Sequence, residues 1–259
     1  MERSSTDRET TSEPEARASV LSEERKNILR ANYENILEGI ARAAERSGRS
    51  AEDIELVAVT KTVPVDIINY AISLGARHIG ENRVQELASK YDLLDKPEGL
   101  SVSVIGHLQS NKAKRAVEMA GMIQSVDSVH IAEEISKRAC ECGKVMPCLI
   151  EINIGGEQSK SGVPIERAEE LICAAAELPS IRVCGLMTIP PADADDKQLR
   201  KYFEEIYKFY VDNRRKKSNN NIEMKFLSMG MSSDYRTAIE CGSNMVRIGT
   251  YIFGARVYK

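Results

Sequence analysis

The sequence predicts an α/β protein built as a single (β/α)8 barrel, a TIM barrel, with one extra helix before the first strand. Three observations predict it. Short β-branched runs alternate with longer amphipathic segments, eight times over, along nearly the whole chain. The first run, Leu56-Val57-Ala58-Val59, is continuously apolar, which suits a strand buried on both faces, as in a parallel sheet wrapped by helices. The length of 259 residues, less a polar tail of 20, matches the ordinary size of eight βα units.

Taken in order, residues 1–20 are rich in Ser, Thr, Glu and Arg, with Val20 the only sizeable apolar residue after Met1. Such a segment cannot bury enough surface to offset its ordering entropy, so a disordered polar tail is expected, with one domain over 21–259. From Ser22 a helix begins with Glu23 and Glu24 in its first turn. Leu29, Tyr33, Ile36, Leu37, Ile40 and Ala44 then recur at helical spacing until Ser47-Gly48. Strands are predicted at 55–60, 77–80, 101–105, 122–126, 146–152, 182–188, 224–229 and 245–248. Helices are predicted near 65–74, 84–94, 112–119, 129–141, 165–177, 197–213 and 235–241. Gly75 and Gly121 stand where a helix C-terminus favours glycine, and Pro164 suits a first helical turn. A doubly wound open sheet would carry a glycine-rich fingerprint after its first strand, where this chain has Thr60-Lys61-Thr62-Val63-Pro64.

Composition narrows the function classes. The net charge is −3, and the one dense basic run, Arg214-Arg215-Lys216-Lys217, reads as the last turn of a helix, so no nucleic-acid footprint is expected. No apolar run reaches the length of a membrane span and no signal peptide is evident, which leads to the expectation of a cytoplasmic protein without a membrane partner. Six cysteines are expected to be free thiols. Cys140-Glu141-Cys142 with Cys148 lacks paired C-x-x-C spacing and a second cluster, so no metal site is expected.

In a barrel, functional groups lie just past the C-terminal ends of the strands. Lys61 ends the first strand. Burial there disfavours its ammonium, and a neutral amine attacks carbonyls to form Schiff bases, the chemistry of class I aldolases and of pyridoxal phosphate (PLP) proteins. The competing reading has Lys61 merely ending the strand and reaching into water. Ser232, Ser233, Gly249 and Thr250 follow the last two strands, where barrel loops commonly hold phosphate, although the serines could instead cap the next helix. A lysine and a phosphate cradle on one face point to a phosphorylated carbonyl ligand. The glycine-containing loop from Asn153 to Gly162 carries Lys160, which either relays an aldehyde during release or is a solvated loop lysine.

Six segments carry a family resemblance: Val59-Thr60-Lys61-Thr62, His78 to Glu86, Gly106 to Lys112, Gly185-Leu186-Met187-Thr188, Leu227 to Ser232, and Val246-Arg247-Ile248-Gly249-Thr250. Together they resemble the PLP homeostasis proteins, the YggS-like family, which is related to the N-terminal barrel of alanine racemase. The resemblance implies a Schiff base between Lys61 and PLP, phosphate held by Ser232, Gly249 and Thr250, and Arg247 facing the pyridine nitrogen. It also implies Asn82, His107 and Met229 near the ring, though core packing or loop hydrogen bonding would account for these three as well. The long polar tail departs from the family pattern without touching the site.

The function so implied is a cytoplasmic, monomeric carrier or buffer of PLP, with apo forms of PLP-dependent enzymes as recipients and no robust catalysis. The chain runs only some ten residues past the last predicted strand, so the racemase β domain and its tyrosine are not expected. A guanidinium at the ring nitrogen weakens the ring as an electron sink. The rivals are a weak PLP-dependent racemase or lyase using Tyr251, His107 or Lys160 as base, a Schiff-base aldolase without PLP, and an interaction module that hands PLP to partners.

Overall fold

The computed structural model describes residues 21–157, 161–215 and 221–255. The tail expected over 1–20, Lys160 of the glycine-containing loop and the Lys216-Lys217 end of the basic run lie outside the described residues.

Eight parallel strands close into a barrel in sequence order. They are β1 (Glu55–Val59), β2 (His78–Glu81), β3 (Ser101–Val104), β4 (Met122–Val126), β5 (Met146–Ile152), β6 (Ile181–Thr188), β7 (Ile222–Ser228) and β8 (Met245–Ile248). Closure is made by β1 on β8, in register from Glu55 opposite Met245 to Ala58 opposite Ile248. The outer ring consists of α1 (Glu23–Arg46), α2 (Val65–Ser73), α3 (Val84–Lys90), α4 (Ala113–Met119), α5 (Val129–Glu141), α6 (Ile165–Ala176), α7 (Asp196–Arg215), α8 (Tyr235–Glu240) and α9 (Thr250–Phe253). None of the described helices is long and apolar enough to cross a membrane.

Local chemistry explains the boundaries. The Ser22 hydroxyl accepts from the Arg25 backbone N–H at 3.2 Å and starts α1, with Glu23 and Glu24 complementing the positive helix end. Gly75, at φ +110°, ends α2 in the left-handed conformation that glycine alone adopts freely. Gly121 does not play that part: α4 ends on the extended Ala120, and Gly121 leads directly into β4. The helix expected over 84–94 stops at Lys90 and continues as a 3-10 turn, Tyr91–Leu93. Pro164 stands one residue before α6, at its N-cap.

The core has two parts. The larger lies between sheet and helices and takes in Leu29, Tyr33, Ile36 and Ile40 of α1, whereas Leu37 is exposed. A smaller one fills the barrel interior with Val57, Met122, Leu149, Cys184, Met187 and Met245. Each fully buried Leu, Ile or Met contributes about 1.5–3 kcal/mol. Polar side chains share that interior, among them His78, Ser103, Gln124, Glu151, Ser228 and Arg247. Helix α1 also holds the C-terminal turn in place: Arg25 donates to the Phe253 carbonyl at 2.6 Å and Asn32 to the Ile252 carbonyl at 3.1 Å.

Candidate functional site

A cavity of about 370 Å³ opens at the C-terminal mouth of the barrel, with Lys61, Asn82, Ser232, Arg247, Gly249 and Thr250 in its wall. Six of the residues singled out from sequence therefore converge on one space, although they come from four different strand ends and span nearly 190 positions of the chain.

The half-buried Lys61 follows β1 on a backbone fixed from both sides. The Thr60 carbonyl, which precedes it, accepts from Lys90 Nζ at 2.9 Å. The Thr62 N–H, which follows it, donates to Glu86 Oε1 at 2.5 Å. Lys90 joins the two, donating also to Glu86 at 2.6 Å and to Glu81 Oε1 at 2.8 Å, and the Thr60 hydroxyl donates to Glu81 at 2.8 Å. Both peptide groups flanking Lys61 are thus bound into one charged network. Thr62 needs that hold, because at φ +64° a β-branched residue sits in a region it ordinarily avoids, at a cost of about 1–3 kcal/mol. Burial pushes the Glu81 carboxyl above its usual range, against the pull of Lys90, and its Oε2 has no partner among the described residues.

The opposite end of the cavity presents a cluster of backbone donors. The backbone N–H groups of Ser232, Ser233, Thr250 and Tyr251 have no acceptor among the described residues, and all four residues face the cavity. The alternative role for the serines is not the one they take. Asp234 is the N-cap of α8 and accepts from the Met231 N–H at 2.5 Å, which leaves both hydroxyls outside the cap. Gly230, at φ +95°, swings the chain from β7 into this loop, and a Cβ there would lie 2.6 Å from the Ala238 Cβ.

Between the two ends lies Arg247 on β8, buried inside the barrel. It donates to the Ser228 hydroxyl at 2.6 Å and to the Thr188 carbonyl at 2.9 Å. Burial pushes its pKa down to about 10, opposed by Glu151 and Asp234, so it remains a cation at neutral pH. Glu151 on β5 is pushed the other way, up to about 7, by burial and by Asp127, with Arg247 opposing. The walls are completed by Val59, Ile105 and Ile189.

Two expected residues are not brought into this cavity. Met229 is fully buried in the core between sheet and helices, and Met231 lines the cavity instead. His107 is half exposed, with Nδ1 3.0 Å from Asp127 Oδ2, and faces a separate groove beside Ser110 and Asn111. Tyr251 does line the cavity, whereas Lys160 lies outside the described residues. Sequence reasoning missed the Glu81, Glu86 and Lys90 network. Its available signal was a glutamate at a strand end followed by a Glu/Lys pair at helical i, i+4 spacing. A second cavity of about 450 Å³ shares Lys61, Gly249 and Thr250, and Arg25 and Phe253 stand in its wall, away from the serine loop.

The alanine racemase N-terminal domain family model matches residues 32–257. A protein of Aquifex aeolicus named pyridoxal phosphate homeostasis protein is 42% identical over 223 residues, covering 86% of this chain and 96% of its own length. The Escherichia coli K12 protein of the same name is 39% identical, covering 90% of this chain and 99% of its own. Among solved structures, PipY of Synechococcus elongatus with PLP bound superposes with a TM-score of 0.72 at 31% identity, covering 82% of this chain and 100% of PipY. On this extent of match, the chain belongs to the pyridoxal phosphate homeostasis proteins of the alanine racemase N-terminal domain family.

Proposed function

We propose that the chain binds pyridoxal phosphate, held by Lys61 as a Schiff base, and serves PLP homeostasis in the cytoplasm as a carrier or buffer without robust catalysis. The observation that carries this reading is the pairing, in one cavity, of a conformationally clamped lysine with a cluster of unpartnered backbone donors. The residues present fit the cofactor. Apolar side chains at Val59, Ile105 and Ile189 suit the faces of an aromatic ring, and Ser232, Gly249 and Thr250 suit its phosphate. Asn82 completes the polar wall, while His107 and Met229 are left out of the ligand set. The names of the relatives and PipY's bound PLP support the same reading.

When bound, PLP supplies an aldehyde that condenses with an amine and a ring that can withdraw electrons. Arg247 governs how much of the second property is available. Its guanidinium keeps its protons at neutral pH and can only donate, so it favours an unprotonated ring nitrogen and a weak electron sink. The six unpaired cysteines are compatible with a reducing compartment.

The test is equilibrium binding of PLP against pyridoxal, together with transfer to an apo PLP-dependent enzyme. Loss of two or three charge-assisted hydrogen bonds should weaken pyridoxal about 100-fold or more relative to PLP. The loaded chain should restore activity to the apo-enzyme. Equal affinity for the two aldehydes would remove the phosphate cradle, and failure to release PLP to any apo-enzyme would remove the carrier role.

A further inference from the structure

The barrel interior carries a line of polar side chains that the cavity alone does not explain. From the mouth inward, Arg247 Nη1 donates to Ser228 Oγ at 2.6 Å, Ser228 Oγ to Gln124 Oε1 at 2.8 Å, and Gln124 Nε2 to Ser103 Oγ at 3.1 Å. Ser103 Oγ is 2.7 Å from His78 Nε2, and His78 Nδ1 is 3.2 Å from Glu55 Oε1. The line crosses β8, β7, β4, β3, β2 and β1. Ser103, Gln124 and Ser228 are fully buried, while the Glu55 side chain is 44% exposed at the opposite end of the barrel.

Donor and acceptor chemistry gives this line one direction. An arginine can only donate, so the single Ser228 proton passes to the Gln124 carbonyl oxygen, and the Gln124 amide then donates to Ser103. The Ser103 proton, with no other acceptor among the described residues, is matched by an unprotonated His78 Nε2, and in that tautomer Nδ1–H closes the line on the Glu55 carboxylate. In a low-dielectric interior such bonds polarise one another, strengthening each by about 10–30%. Reversing or breaking any member would leave a buried proton or lone pair unmet.

We propose that His78 and Gln124 are positioning residues for Arg247, so that a hydrogen-bond chain anchored at the barrel floor sets how firmly that guanidinium is presented to the ring nitrogen of bound PLP. This rests on the proposed function, in which Arg247 faces that nitrogen. Neither residue lines the cavity, so both act through Ser228 and Arg247.

Two measurements on the full chain test it. In the PLP-free protein, which has three histidines, ¹⁵N NMR should find His78 protonated on Nδ1 and bare on Nε2. In the PLP-loaded protein, His78→Leu and Gln124→Met should shift the visible band and its pH midpoint and speed PLP release about two- to tenfold, the worth of one hydrogen bond. His78→Gln, whose amide can accept from Ser103 and donate to Glu55, should restore wild-type behaviour. Should His78→Leu not fold, Gln124→Met and the wild-type tautomer decide. A proton on Nε2, or a band and release rate unmoved by both variants, would overturn the proposal. A wild-type chain that takes up no PLP would instead overturn the function on which it rests.

Discussion

Lys61 draws attention in the sequence because a lysine closing a both-faces-buried strand is chemically out of place unless it has a task, but the family resemblance, and not the strand alone, makes it the Schiff-base candidate. The hold on it could not be read there, since Glu81, Glu86 and Lys90 each read as ordinary polar residues until the fold brings them to Thr60 and Thr62. Replacing Lys90 with Met leaves Glu81 buried without its cation, frees the Thr60 carbonyl beside Lys61 and takes the cation from Glu86, which holds the Thr62 N–H. Urea unfolding should report a loss of about 3–5 kcal/mol, and PLP binding should weaken in the same variant. Met229 teaches a different lesson. Alternation itself turns it away from the barrel interior, because the preceding Ser228 points inward to Arg247 and Gln124; β7 ends there, and after the Gly230 turn Met231 takes the cavity position. Glu151 offers a test of electrostatics. Its folded-state pKa of about 7 lies above the ordinary 4.5, so between those values the folded state binds more protons than the unfolded one. Its contribution is therefore intact below about pH 4.5 and lost as pH rises through 7. Glu151→Gln should gain stability over wild type by on the order of 2–3 kcal/mol between pH 5 and pH 8. An equal stability difference at both pH values would mean that the carboxyl is not desolvated.

At the scale of elements, the strands were legible because both faces are buried, and the longer helices because one face is. The four-residue α9 was not, being too short to display a period. Yet α9 and the Gly249 before it supply one side of the proposed phosphate site, and α1 secures them through Arg25 and Asn32. Between β6 and β7 the pairing is irregular at Gly185, whose φ is +148°. A Cβ there would lie 1.8 Å from the Phe226 carbonyl oxygen, which no rotamer change can relieve. Gly185→Ala should therefore cost about 3 kcal/mol or more, seen as a lowered urea midpoint. Gly48→Ala, with nothing within 4 Å of the added Cβ but also at positive φ, should cost about 1–2 kcal/mol, near the backbone term alone.

For the whole molecule, the closed barrel and its C-terminal site were readable from alternation, chain length and the residues at strand ends. The polar line through its interior was not, because Ser103, Gln124 and Ser228 become neighbours only when β3, β4 and β7 are wrapped into a cylinder. The carrier reading makes a global prediction. With Arg247 cationic and donating at the ring nitrogen, solvent exchange of the L-alanine α-proton in deuterium oxide should be far slower than the enzyme median of about 10 s⁻¹. Exchange at or above that rate would make Tyr251, which lines the cavity, the residue to test as a base. The central claim is that Lys61 holds PLP. The most direct measurement is addition of PLP to the purified chain, reduction with borohydride and peptide mapping of the label. The account predicts a visible band that borohydride bleaches, a pyridoxyl label on Lys61, and loss of both in a folded Lys61→Ala variant. Absence of the band, or a label on any other lysine, would contradict it.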